Sequence, residues 1–353
     1  MSSENGAAFA SSCPAPLAVG DRVLLGHGSG GRMTADLVAR CFLPAFRNRY
    51  LEKLDDQAVL GVGGARLAFT TDAYVVTPLF FPGGDIGSLA VHGTVNDLAM
   101  AGARPLYLSA AFILEEGFPL ADLERIVASM RAAAADAGVL VVTGDTKVVD
   151  RGKADGCFVT TTGLGVVEHA REISADRARP GDVVILSGPI AEHGMAIMTA
   201  RADLELEAPL CSDSASLHRL VRDMLDADAD VRCLRDPTRG GVATALNEIA
   251  ERSGVGIVLD ERQILVREPV RGVCELLGLD PLYVANEGRL LAVVARPDAE
   301  PVLARMRGRP EGRDARVVGE VVEDASRLVV LETAIGGRRI VDMLQGDQLP
   351  RIC

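Results

Sequence analysis

The chain has 353 residues, 48% hydrophobic and 24% charged, with a formal net charge of −12. That length and composition predict two globular domains, and the acidic balance argues against a nucleic-acid or anionic-membrane surface while leaving room for a phosphate held by backbone amides and a divalent cation. Apolar stretches fall short of bilayer length, Met1-Ser2-Ser3-Glu4-Asn5 has neither the basic nor the apolar region of a secretory signal, and seven cysteines without C-x-x-C spacing predict reduced thiols in a cytoplasmic protein.

Residues 1–18, rich in Ala, Ser and Pro, read as a flexible leader. His27-Gly28-Ser29-Gly30-Gly31-Arg32 is a glycine-rich turn that could bring backbone N–H groups close to phosphate oxygens. It matches neither a Walker A motif nor a Rossmann fingerprint, so taken alone it is first a turn before a helix. Strands are predicted at Leu67–Thr71, Leu106–Leu114 and Gly156–Val167, the last with a Thr run that suits a pleated surface. Helical spacing marks Asp85–Ala101 and Leu120–Ala137. In the second, Ala121, Ile126, Val127 and Met130 share a face and Gly138 is the stop. The polar segment Arg171–Asp182, containing Pro180-Gly181, predicts a domain boundary. A second α/β block then opens with the strand Val183–Gly188. It continues with a helix at Gly240–Arg252 and strands at Ile257–Leu259, Leu290–Ala295, Arg316–Val322 and Leu328–Leu331. The expected plan is a leader (1–18), an N-terminal domain (19–172), a C-terminal α/β domain (180–342) and a tail (343–353).

Acidic residues gather at element ends. Asp55-Asp56 precede an apolar run, Asp72 follows Thr70-Thr71, Asn96-Asp97 lie on the predicted 85–101 helix, and Gly144-Asp145-Thr146-Lys147 follow the strand Val139–Val142. Each alone is a turn or cap residue. Together, with a glycine-rich loop upstream, they suit a nucleotide and Mg²⁺, which takes hard oxygen ligands. Asp97, in a largely apolar helix, must face solvent or find a partner. Asp236-Pro237-Thr238-Arg239-Gly240-Gly241 opens a helix, with Thr238 placed to cap it and glycines that admit a phosphate; an ordinary helix start accounts for it equally well. Asn286-Glu287-Gly288 places a carboxylate in a loop. The chain ends Pro350-Arg351-Ile352-Cys353, a thiol on a tether; Gly346 to Cys353 could extend roughly 26 Å at ~3.3 Å per residue, with Pro350 restricting the last turn.

This ordered set, with Gly84-Asp85-Ile86-Gly87 and Gly93-Thr94-Val95-Asn96-Asp97 included, resembles the HypE family of hydrogenase-maturation carbamoyl dehydratases from about Val19 to the last residue. That family belongs with aminoimidazole ribonucleotide synthetase and selenophosphate synthetase. The resemblance implies an α/β, PurM-like fold of two domains, with an N-terminal sheet that pairs in a homodimer, a C-terminal α/β sandwich, and ATP with Mg²⁺ between them. It implies Mg²⁺ contacts from Asp56, Asp72, Asp97 and Asp236, with Asp145 next; the D-x-A-V pattern favours Asp56 over Asp55. Nucleotide contacts would come from His27, Gly28, Ser29, Gly30, Gly31, Asp72, Asp97, Gly144, Asp145, Thr146, Arg239, Gly240 and Gly241. The implied activity dehydrates a carbamoyl group on Cys353 to a thiocyanate, with HypF as carbamoyl donor and a HypC–HypD complex as cyano acceptor. Lys147 and Glu287 would meet the modified cysteine, Glu287 as base and Lys147 as the orienting group, or the reverse. Two competing readings are a selenophosphate-synthetase-like enzyme, whose reactive Cys or selenocysteine would sit where this chain has Ser29, and a carrier that only presents Cys353.

Overall fold

The computed structural model describes residues 22–202, 210–346, 349 and 351–353. The leader 1–18 and Pro350 lie outside the described residues. An N-terminal arm carries a 3-10 turn at Leu25–Gly28, helix α1 (Arg32–Leu37), a π-helical turn at Val38–Phe42 and helix α2 (Leu43–Phe46). The first block follows as β1 (Ala58–Val62), β2 (Ala65–Tyr74), β3 (Phe80–Phe81), β4 (Gly84–Asp85), α3 (Ile86–Met100), β5 (Arg104–Glu115), α4 (Leu120–Ala137), β6 (Leu140–Val149) and β7 (Cys157–Val166).

Its main sheet has the order β1-β2-β7-β5-β6. Only β5 and β6 run parallel, and α4 is the crossover that a parallel pair requires. Burial alternates strictly along β7, so Cys157, Val159 and Thr161 face the helices while their neighbours face outward. Gly144 to Lys147, expected after a strand, lie inside β6, because its pairing with β5 continues from Ala110↔Gly144 to Ile113↔Lys147. In α4 the buried side is Ile126, Met130, Ala133, Ala134 and Ala137, ending at Gly138 in the left-handed region (φ 70°). Ala121 and Val127, expected on that side, are exposed; Val127, one residue beyond Ile126, is about 100° further round the helix.

The second block comprises β8 (Val183–Leu186), α5 (Glu192–Arg201), α6 (His218–Leu225), β9 (Val231–Arg235), α7 (Gly241–Ser253), β10 (Gly256–Asp260), α8 (Glu268–Leu277), β11 (Leu291–Val294), α9 (Ala299–Arg307), β12 (Arg316–Val322), β13 (Val329–Glu332) and β14 (Arg338–Ile340). These strands form a seven-stranded sheet of order β14-β13-β10-β12-β8-β11-β9. Every residue of β8 is buried: Val184 and Leu186 join one core and Val183 and Ile185 the other. A sheet covered on both faces needs such an unbroken apolar run.

Helix α3 runs along the seam between the blocks. Asp85 caps it, accepting from Gly87 N (2.7 Å) and Ser88 N (3.1 Å), while Ser88 Oγ accepts from Asp85 N (3.1 Å). Helix α7 starts at Gly241, with Gly240 as its N-cap at φ 78°. Thr238, expected to cap it, lies in a preceding turn whose bond runs from Gly241 N to Thr238 O. Gly241 is required there, since a Cβ would stand 2.5 Å from Leu282 O.

At Gly87 the backbone of α3 lies against that of α4; a Cβ at that position would meet Ile126 O at 2.3 Å. Gly87→Ala should therefore lower stability by about 1–3 kcal/mol through overpacking, despite alanine's better helix propensity. Chemical denaturation of the purified variant checks this.

Candidate functional site

The seam between the two sheets collects carboxylates from separate elements. Asp72 comes from the helix-facing side of β2, Asp97 from α3, Asp56 from the segment entering β1, and Asp236 from the residue after β9. Thr70 Oγ1 donates to Asp97 Oδ2 at 2.6 Å, giving that buried Asp its partner. Arg235 Nη1 pairs with Asp56 Oδ1 at 2.6 Å, and Arg235 is shared with Glu248. Asp55 is committed elsewhere, accepting from Ser174 Oγ (2.9 Å) and Ala175 N (3.0 Å) at the start of the second block.

Mutual repulsion in this dry seam shows in the acidities. Burial pushes Asp236 up to about 8, with Asp56 adding to the effect and Arg235 opposing it. Burial likewise raises Asp56 to about 6 against the pull of Arg235. Asp97 is held well above the carboxylate range by burial and then by Asp236, Asp72 and Asp56. Glu287 is raised well above its usual value by burial, then by Asp236, Asp72 and Asp213. Among the described residues, Asp56 Oδ2 and Glu287 Oε1 are buried without a hydrogen-bond partner. Excess negative charge, hard oxygen donors and an orphaned carboxylate oxygen fit Mg²⁺. No three acidic, His or Cys side chains among the described residues already converge on one point. That suits Mg²⁺ bound through one or two carboxylates, with phosphate oxygens and water completing its shell.

The tail enters this seam. Val75 N donates to Cys353 O (3.1 Å) and Thr77 N to Arg351 O (3.2 Å), so the last residues lie along the chain just beyond β2. Arg201 Nη2 also donates to Arg351 O (2.9 Å), and Arg351 pairs with Asp155. Ile352 is 3% exposed and Cys353 7%; burying the isoleucine alone contributes about 1.5–3 kcal/mol to seating the tail. Glu287 and Arg239 both act on the thiol. Burial pushes its pKa far above the ordinary thiol range, making it a weaker acid; Arg239 opposes this, and Glu287 reinforces it. In return, Arg239 is held more firmly in its cationic form, first by Cys353 against the effect of burial, then by Asp72 and Glu287.

The glycine-rich turn lies over the same place. Gly30 adopts φ 77°, and a Cβ there would meet Arg239 Cβ at 2.6 Å. Gly31 passes so close to Leu344 O that a Cβ would stand 2.3 Å from it, and Arg32 N donates to the same oxygen (2.8 Å). Ser29, Arg239, Gly240, Leu344 and Leu349 line a small cavity beneath the loop. Gly28 O lies 3.5 Å from Arg239 Nη1, whereas His27 bonds back to Leu24 N (2.9 Å) within its own turn.

Gly144, Asp145, Thr146 and Lys147 are not brought to this seam within one chain. Their strand, β6, is the sheet edge, and β7 and β5 separate it from β2; at about 4.8 Å per strand spacing it lies about 14 Å away across the sheet. Lys147, paired with Asp145 Oδ2 at 2.8 Å and 69% exposed, stands opposite Ile113 on the open face, away from α3. The expectation that Lys147 meets Cys353 therefore fails inside a single chain.

Several residues with a place in the site carried no sequence signal. Asp213, buried in a polar stretch, accepts from Glu287 N (3.1 Å) and Gly288 N (3.3 Å), and Asn96 Nδ2 donates to Glu287 O (3.2 Å). Asn286 ties the same loop to the Asp236 turn by donating from Nδ2 to Pro237 O (2.9 Å). His193 and Arg201, both on α5, hold tail carbonyls. Of these, Asn286, next to Glu287, and Asn96, next to Asp97, lay in segments that the sequence singles out.

The AIR synthase related protein N-terminal domain family matches residues 54–167, and its C-terminal domain family matches 179–331. Carbamoyl dehydratase HypE of Cupriavidus necator is 60% identical over 333 residues, covering 94% of this chain and 95% of that protein. The chain belongs to the HypE family. A HypE structure in complex with ATP superposes with a TM-score of 0.80 at 50% identity, covering 94% of this chain and 100% of that one. HypE in a HypE–HypF complex gives 0.83 at 48%, covering 87% and 99%. The two-domain α/β, PurM-like architecture is thus that of HypE. Among the described residues, no helix is long and apolar enough to cross a membrane.

The carboxylate cluster makes a pH prediction. The folded chain keeps protons on Asp56 and Asp236 that the unfolded chain releases near the usual 3.8, so the ligand-free fold loses stability as pH rises from about 4 to about 8. Asp236→Asn removes the higher-titrating member. Thermal unfolding without nucleotide should find this variant more stable than the parent at pH 8, with the gap closing toward pH 4, and Mg²⁺–ATP should raise the parent's midpoint but not the variant's.

Proposed function

We propose that this chain is an ATP-dependent carbamoyl dehydratase that converts Cys353–S–C(=O)–NH₂ to Cys353–S–C≡N for hydrogenase maturation. The observation that carries the reading is the terminal cysteine, buried and held by Val75 N at the acidic cluster, where Glu287 and Arg239 both act on its thiol. The balance is thiocarboxamide plus ATP giving thiocyanate, ADP, phosphate and one proton. ATP with Mg²⁺ supplies the phosphoryl group that lets the carbonyl oxygen leave as phosphate. Asp56, Asp72, Asp97 and Asp236 are the residues that would hold the cation, and Gly28 to Gly31 with Arg239 to Gly241 would meet phosphate. Cys353 is the covalent handle. Glu287 accepts an N–H proton: its buried, unpartnered Oε1 and raised basicity suit a general base. Arg239, beside the thiol, is placed to offset negative charge that develops on the carbamoyl oxygen.

Glu287→Gln should still bind ATP yet accumulate the thiocarboxamide, and Cys353→Ala should bind ATP and form no adduct. Intact-mass spectrometry after incubation with HypF, carbamoyl phosphate and ATP reads both outcomes; a Glu287→Gln product lighter by one water, at the parent's rate, would remove Glu287 from the base role.

The same reading assigns HypF as carbamoyl donor, a HypC–HypD complex as cyano acceptor, a cytoplasmic location and a homodimer. The open face of the first sheet supports the dimer, since Phe69, Tyr107, Ile113 and Leu140 are exposed there and, among the described residues, β6 pairs on one side only. In such a dimer Lys147 and Asp145 would serve the nucleotide site of the partner subunit. A mixed dimer of Lys147→Ala and Cys353→Ala chains should then recover activity absent from either parent, because one site regains both groups. No recovery after subunit exchange, measured as thiocyanate formed, would count against service across the dimer.

A further inference from the structure

His193 opens α5 and is fully buried, edge-on to Phe81 with ring centroids 5.6 Å apart. Its Nε2 lies 2.8 Å from Ile352 O, the carbonyl immediately before Cys353. A carbonyl only accepts, so Nε2 carries the proton and Nδ1 accepts from Ser212 Oγ, also at 2.8 Å. Ser212 Oγ in turn accepts from Ser214 N (3.0 Å), and Ser212 N donates to Pro82 O (2.8 Å). The next residue, Asp213, holds the backbone of Glu287. One short segment thus sets the orientation of the imidazole on the tail and the position of the loop that carries Glu287.

We propose that His193 is the positioning residue that seats the carbamoyl-bearing tail for dehydration, gripping the Ile352 carbonyl while Ser212-Asp213 keeps that grip in register with Glu287. The inference rests on the dehydratase reading above. Among the described residues, the other bonds to residues 351–353 come from backbone groups, from Asp155 to the Arg351 side chain, and from Arg201, which also donates to Thr77 O. His193 is the side chain that grips the peptide carbonyl leading into the reacting cysteine, where a small displacement is costly in rate. Its ring nitrogens are both engaged, one by the tail's main chain and one by Ser212, so it orients the group and takes no proton from it.

The test uses the full-length chain with His193→Ala and His193→Gln. Without nucleotide, iodoacetamide labelling of Cys353, read on the Asp-N peptide that begins at Asp347, should rise about tenfold in His193→Ala. Single-turnover dehydration of the carbamoylated protein should slow at least about tenfold, while carbamoylation by HypF is not slowed. His193→Gln, whose amide can donate to the same carbonyl, should recover most of both effects. Parent-like labelling and dehydration in His193→Ala would overturn the proposal, as would a glutamine variant no better than alanine. If His193→Ala does not fold, Ser212→Ala should show the same two changes in weaker form, and parent-like values there would also overturn it. Labelling involves neither ATP nor a carbamoyl group. A parent chain that protects Cys353 but never dehydrates its adduct would therefore discard the dehydratase reading, and the labelling contrast would still decide the seat.

Discussion

Like charge confined in a dry seam is the constraint around which the rest is arranged. Asp56, Asp97, Asp236 and Glu287 are each raised by burial and by neighbouring carboxylates, Asp72 among them, and Arg235 and Arg239 offset only part of that repulsion. Such an arrangement is unfavourable in the empty fold and favourable once a cation and a polyphosphate share it. The surrounding polar side chains keep the carboxylates from escaping. Asn286 ties the Glu287 loop to the Asp236 turn, Asp213 and Asn96 fix the loop backbone, and Thr70 pins Asp97.

The same burial governs the terminal cysteine. Where it is seated, the thiol is protonated and inert, which suits a group that arrives already carrying its carbamoyl but not one waiting to receive it. Loading at a separate carbamoyltransferase requires the tail to come out. The bonds that hold it, from Val75, Thr77, His193 and Arg201 to its main-chain oxygens and from Asp155 to the Arg351 side chain, do not involve the sulfur, so they form whether it bears a proton, a carbamoyl or a cyano group. Ile352 supplies an apolar anchor that does not depend on the state of the sulfur either.

Much of the architecture was legible from local pattern. The α4 helix and its Gly138 stop, the alternation of β7 and the wholly apolar β8 follow from residue periodicity and turn chemistry alone. The errors have local causes. Thr238 has the chemistry of a cap, but the two positive-φ glycines after it, packed against the 282–284 backbone, move the helix start past it. Val127 is apolar and one position off the buried stripe. Gly144 to Lys147 resembled a loop because Gly and Asp punctuate it, yet pairing with β5 carries the strand straight through.

The sequence by itself determined which residue types are available for chemistry: the aspartates at element ends, Glu287 in its loop, the glycine-rich turn and a thiol on the last residue. Their meaning as a HypE-like set is a matter of order along the chain. Tertiary structure alone decided which of them meet. It separated Asp55, bonded to Ser174, from Asp56, turned into the seam. It placed Lys147 on the far face of the sheet, and it enlisted Asp213 and His193, which have no motif around them. The physical reason is that strand register and packing across a seam bring together residues more than a hundred positions apart, and no property of a local stretch encodes which distant stretch will face it.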